Sequence, residues 1–220
     1  MTYIRKPQNI TERSFEIISK EIERDFPEHQ FRSKLEEDIV KRCIHTSADY
    51  DYMENLQITG EADIKIQELI QNGGTIITDT NMGLSGINKK ILDKYGCRYE
   101  CFVNNPETFE LAEQKNMTRS MAAIEIAAQI SGPKTFVIGN APTAIYRIME
   151  MLDEGSLQDV VALVGVPVGF VGAAESKQDL HESNIPSICG LGRKGGSNIA
   201  AAIINAIQYN LQDVIGVYTK

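Results

Sequence analysis

The stretch Val160-Val-Ala-Leu-Val-Gly-Val-Pro-Val-Gly-Phe-Val-Gly-Ala-Ala-Glu-Ser-Lys177 decides how this chain folds. Its apolar opening, Val160–Val164, predicts a buried strand, and the run from Ala173 to Leu180 is compatible with a helix. Between them, Gly165, Gly169, Gly172 and Pro167 impose an irregular backbone where a parallel sheet releases its chain toward a ligand. A plain turn needs fewer glycines, so the loop reads as a binding surface, with Glu175 and Lys177 placing charge beside it.

The same strand–loop–helix unit recurs on either side. Thr75–Thr78, Tyr99–Val103, Thr135–Ile138 and Ile185–Cys189 predict four more short strands. Helices are expected over Glu61–Gln71, Ser85–Tyr95, a short segment opened by Pro106, Thr118–Gln129, Pro142–Asp153 and Asn198–Gln208. The predicted fold class is therefore α/β: a mostly parallel, five-stranded sheet with helices on both faces, in Rossmann-like layering. Residues 1–60 read as a helical preface without a strand, with Asn9 and Glu12, then Ser33 and Glu36, as capping boxes. The expected organisation is a single domain over 1–220, with the sheet core in 61–220 and Asp213–Lys220 as a tail or extra edge strand.

A net charge of −8 speaks against a nucleic-acid or membrane-surface partner, and no apolar run reaches the ~18–20 residues of a membrane span. Met1–Pro7 lacks the apolar core of a signal peptide, so a cytoplasmic address is expected. The cysteines Cys43, Cys97, Cys101 and Cys189 read as reduced and buried. Cys97 and Cys101 stand about 13 Å apart along an extended chain, and Cys43 with His45 lacks a second ligand pair, so no metal site is expected.

Right-handed crossovers gather the post-strand loops at one sheet edge. Asp79–Ser85 brings polar groups, Thr80 among them. Gly139-Asn-Ala-Pro-Thr-Ala144 brings Asn140, Thr143 and free N–H groups at a helix start, a place for a carboxylate or phosphate. Gly190, Gly192 and Gly195 match G-x-G-x-x-G. Arg193 and Lys194 inside that loop point instead to direct contact with an anion, and only a helix and a short tail follow. Arg119 and Ser120 sit at a helix start, where a cation opposes the dipole unless an anion neutralises it. His29 and His181 read as surface residues. His45 closes a helix within Arg42-Cys-Ile-His-Thr-Ser-Ala-Asp49, with hydroxyls and a carboxylate close by to hold its tautomer.

Ile44-His-Thr-Ser-Ala-Asp49, Thr118-Arg-Ser120, Gly139–Ala144, Gly165–Lys177 and Gly192-Arg-Lys-Gly-Gly-Ser197, in this order, resemble the precorrin-8X methylmutase family, including its cobalt-precorrin-8 form. Asp79–Gly86 matches that family only loosely. The resemblance implies a homodimer holding a tetrapyrrole at or near the subunit interface. It implies an isomerase that moves a methyl group from C-11 to C-12 of the macrocycle, giving hydrogenobyrinate or cobyrinate in cobalamin biosynthesis, with no cofactor. It assigns the general-acid role to His45. Arg119 then positions the macrocycle, and Ser120, Thr80, Asn140, Thr143, Gly169, Arg193 and Lys194 contact it or shape its pocket. The competing readings are a non-catalytic tetrapyrrole-binding carrier and a Rossmann-type oxidoreductase. A titrating group such as His45 separates enzyme from carrier, since a carrier needs none.

Overall fold

The computed structural model describes residues 7–211. In chain order the elements are α1 (Pro7–Asp25), α2 (Lys34–Ser47), α3 (Tyr52–Asn55), β1 (Leu56–Thr59), α4 (Ala62–Gln71), β2 (Thr75–Thr78), α5 (Asn81–Gly86) and α6 (Lys89–Lys94). They continue with β3 (Arg98–Glu100), α7 (Pro106–Gln114), α8 (Arg119–Ala127), β4 (Lys134–Ile138), α9 (Pro142–Asp153), β5 (Val160–Gly165), α10 (Ala173–Glu182), β6 (Ser187–Gly190) and α11 (Ser197–Tyr209).

A single six-stranded sheet runs in the order β1-β6-β5-β4-β2-β3. Strands β2 to β6 are mutually parallel, and β1 pairs antiparallel with β6 in the register Leu56↔Gly190 to Thr59↔Ser187. This corrects the expectation of five strands and a strand-free first 60 residues. Leu56-Gln-Ile-Thr59 follows a one-turn helix and buries only its first residue, so neither a buried run nor a clear alternation marks it. Strands β2, β4, β5 and β6 lie close to where the apolar runs place them, whereas β3 covers Arg98–Glu100 and stops short of the expected Cys101–Val103. The helix expected over Ser85–Tyr95 is two short ones, α5 and α6, parted near Asn88, whose side chain caps the second. Asn9 lies inside α1 rather than at its cap, and the segment Asp213–Lys220 is outside the described residues.

Alternation along each strand feeds two cores. Val137, Val164, Ile76 and Ile188 face one layer with α1, α2, α4 and α11, while Phe136, Ile138, Leu163 and Ile77 face the layer with α8, α9 and α10. Helix α11 is apolar on most sides, with Ile199, Ile203, Ile204 and Ile207 each at most 1% exposed. Burial of such side chains contributes about 1.5–3 kcal/mol apiece and fixes α11 against the sheet and α2.

Helix α2 begins at Ser33, whose hydroxyl accepts the Glu36 N–H at 3.1 Å. The Glu36 carboxylate accepts the N–H of Arg32 at 2.6 Å, one residue before its place in the usual box. The helix ends at Ala48, left-handed at φ 55, whose N–H bonds the Ile44 carbonyl. Because Leu56 opens β1 opposite the last residue of β6, the segment leaving α2 arrives at the same edge as the post-strand loops.

Candidate active site

At that edge the loops after β5 and β6 are bound to each other. The Val166 N–H donates to the Ile138 carbonyl and the Val166 carbonyl accepts the Gly196 N–H, both at 2.8 Å, while the Gly169 N–H donates to the Arg193 carbonyl at 3.1 Å. Gly195, at φ 155, runs so close that an added Cβ would overlap the Val166 carbonyl oxygen. Only glycine fits there.

Four cations were expected to serve this edge, and they divide into two pairs. Lys177 is fully buried, not exposed beside its loop, and donates its Nζ to the Lys194 carbonyl at 2.7 Å; burial pushes its ammonium down to about 8. Lys194 pairs with Asp49 at 2.6 Å and Asp51 at 2.5 Å, which hold its pKa above the ordinary lysine value. Its charge is thus shared with two carboxylates of the protein, a pairing the sequence reading did not foresee. Lys194 ties the β6 loop to the segment just after α2, helped by the Leu191 N–H donating to the Asn55 carbonyl at 2.8 Å. Arg119 and Arg193 remain exposed and, among the described residues, form no ion pair. Each guanidinium lies over an exposed aromatic ring: Arg119 at 4.9 Å from the Phe109 centroid, Arg193 at 5.4 Å from that of Phe170.

The loop leading into α9 is already engaged. Asp79 is 5% exposed and accepts the N–H groups of Gly139 (2.9 Å), Asn140 (2.8 Å) and Ala141 (2.8 Å). Burial pushes its carboxyl up, while the three donors pull the other way. The sheet's strand order reverses between β2 and β4, where open α/β sheets ordinarily receive ligands. Here the protein's own carboxylate occupies that anion position. The backbone of 139–141 is therefore not free for a ligand, contrary to expectation, although the Asn140 side chain stays exposed.

Hydroxyl pairs bind the neighbouring elements. Thr80 accepts the Gly83 N–H at 3.0 Å and shares a bond with Ser197 at 2.7 Å. Thr143 shares one with Thr118 at 3.1 Å, and Thr118 also caps α8 by accepting the Met121 N–H. Ser120 is half-buried beside Arg119. Thr80 and Thr143 are thus engaged within the fold, each sharing a hydroxyl bond with a neighbouring side chain. The rim is also apolar: Met82, Val168, Phe170 and Val171 are 72%, 49%, 82% and 90% exposed.

His45 lies in the last turn of α2, exposed, its ring stacked on Phe15 with centroids 5.2 Å apart and planes 12° from parallel. Burial, then the Arg42 cation, lower its pKa from the ordinary histidine value. The nearby polar groups do not hold it. The Ser47 hydroxyl donates to the Cys43 carbonyl, and Asp49 belongs to Lys194. Phe15 and Arg42 beside His45, Ser197 on Thr80 and Asp51 on Lys194 are partners to which the sequence reading gave no role. Only Arg42, three residues before His45, carried a local signal. Among the described residues no three His, Cys, Asp or Glu side chains group as metal ligands, and no helix is long and apolar enough to cross a membrane.

Residues 9–210 match the family model described as precorrin-8X methylmutase. The chain belongs to the precorrin-8X methylmutase family. It is 46% identical to the cobalt-precorrin-8 methylmutase of Salmonella typhimurium over 97% of this chain and all of that one. It is 33% identical to the precorrin-8X methylmutase of a Sinorhizobium species over 93% and 95% of the two chains. A solved precorrin-8X methylmutase from Thermus thermophilus superposes with TM-score 0.79 at 30% identity, covering 90% of this chain and 95% of that one. Membership in this methylmutase family makes the chain an isomerase. The expected α/β class stands, with the antiparallel edge strand added.

Proposed function

We propose that the protein moves a methyl group from C-11 to C-12 of precorrin-8X or cobalt-precorrin-8, giving hydrogenobyrinate or cobyrinate in cobalamin biosynthesis. The observation that carries this reading is the composition of one edge. Two exposed guanidiniums that form no ion pair among the described residues stand on exposed aromatic rings, Arg119 on Phe109 and Arg193 on Phe170, with Val168 and Val171 exposed in the latter's loop. A flat conjugated ring with a fringe of carboxylates has the complementary character: an apolar body and an anionic rim.

His45 supplies the proton. Protonating the conjugated system makes it electron-poor where the methyl group must arrive. After migration the ring returns the proton to the neutral imidazole, so the reaction is a net isomerisation needing no cofactor. A lowered pKa suits a donor, because the imidazolium then holds its proton less tightly. Arg119 and Arg193 bind substrate carboxylates, and Asn140 and Ser120 add polar contacts. Thr80, Thr143 and Gly169 shape the wall, and Lys194 holds it through Asp49 and Asp51. The two apolar residues most exposed in the β5 loop, Phe170 and Val171, favour a homodimer that covers this edge; light scattering on the purified protein reads its mass directly.

The test is turnover by His45→Ala. It binds product with wild-type affinity and loses nearly all methyl migration; wild-type turnover rejects the assignment. Binding of either macrocycle without conversion by the wild-type protein identifies a carrier instead.

A further inference from the structure

Among the described residues, Arg42 is a cation with no ion-pair partner. Its Cζ lies 4.7 Å from the ring centroid of Phe15 on α1 and 5.1 Å from that of Tyr209 on α11. Its Nε is buried without a hydrogen-bond partner, and among the described residues no carboxylate forms an ion pair with it. An exposed arginine ordinarily finds water or an acid. One lodged between two rings keeps its charge in a partly dry setting, where a field reaches further.

The same Phe15 ring that receives the Arg42 guanidinium is stacked on His45. The two residues are three apart in α2, on one strip of the helix. The charged and titratable groups acting on Arg42 are Tyr209 from α11, and Asp38 and Cys43 from α2 itself; from α1, among the described residues, the Phe15 ring meets it. Of the charged neighbours, Arg42 alone acts on His45.

We propose that Arg42 is a positioning residue for His45: fixed between Phe15 and Tyr209, it keeps the neighbouring imidazolium ready to release its proton. The proposal rests on His45 being the proton donor. In the forward step an imidazolium N–H bond breaks and a C–H bond forms on the macrocycle. The repulsion between two cations, relieved when His45 becomes neutral, favours that transfer. When the migrated product gives its proton back, His45 recharges and the cycle closes.

The experiment is an NMR titration of the His45 ring in the full chain without substrate, for wild type, Arg42→Gln and Arg42→Lys. Arg42→Gln moves the His45 midpoint to higher pH, and Arg42→Lys, which keeps the charge, moves it back toward wild type. An unchanged midpoint in Arg42→Gln overturns the proposal. Should Arg42→Gln not fold, the salt dependence of the wild-type midpoint decides. A dominant local cation makes it climb as salt is added, whereas a field set by the net charge of −8 makes it fall, and a fall overturns the proposal. The pH profile of methyl migration is measured in parallel, and its histidine limb follows the NMR midpoint in each variant. Because the titration needs no turnover, a failed methylmutase assay leaves the result for Arg42 intact.

Discussion

Replacing Lys177 by Met removes the buried ammonium that grips the Lys194 carbonyl and leaves a side chain of similar length. The ammonium is depressed from 10.5 to about 8, a gap equivalent to about 3 kcal/mol at 1.36 kcal/mol per pH unit. Because Nζ meets a loop at the sheet edge rather than the deep core, solvent screening reduces this to about 2 kcal/mol. The folded value lies below the unfolded one, so between them the unfolded chain binds more protons and wild-type stability rises with pH. The bond to Lys194, in its neutral form, contributes about 1 kcal/mol. Lys177→Met is therefore about 1 kcal/mol more stable than wild type near pH 7 and about equal to it near pH 10, where most but not all of the burial cost has gone. Urea unfolding at both pH values, read as the difference between the two proteins, measures the convergence. Parallel curves refute the reasoning, because they mean that the ammonium bears no burial cost. Turnover at pH 7 falls several-fold in the variant despite its stability, since the loop carrying Arg193 loses its anchor; wild-type turnover would detach that loop from catalysis.

Gly195→Ala forces the β6 loop away from Val166 and breaks the bonds between the two glycine loops; we expect a loss of about 3 kcal/mol in urea unfolding together with lost turnover. Asp79→Ala leaves three N–H groups at the start of α9 without their acceptor and costs about 3–5 kcal/mol, measured by thermal or urea unfolding. Arg119→Ala weakens product binding by about tenfold, in line with loss of one exposed charge-assisted contact, with little change in melting temperature; calorimetry reads the dissociation constant. Lys194→Ala frees Asp49 and Asp51, and its loss appears in kcat more than in stability, because the pair it breaks lies at the surface.

Much of the frame was legible because it rests on local signals. Pro142 opens α9 and Thr118 caps α8 where their chemistry predicts, and the buried strands announce themselves as apolar runs. The site was legible as a set of loops but not as a division of labour. Lys194 and Arg193 are adjacent in sequence, yet one is neutralised by Asp51, 143 residues away, and the other lies over Phe170. Asp79 fills the α9 anion position from 60 residues upstream of Gly139, a pairing created only when β2 and β4 become neighbours. Strand β1 escaped notice because an edge strand that buries one residue carries almost no pattern. Arg42 escaped because its two rings come from helices at opposite ends of the chain.

The central claim is that His45 drives methyl migration at this edge. Its most direct test is incubation of wild type and His45→Ala with precorrin-8X and with cobalt-precorrin-8, following the visible spectrum and the product mass. Wild type is expected to convert one of the two without change of mass, shifting the chromophore, while His45→Ala binds the macrocycle but leaves its spectrum as substrate. Conversion by His45→Ala at the wild-type rate contradicts the claim.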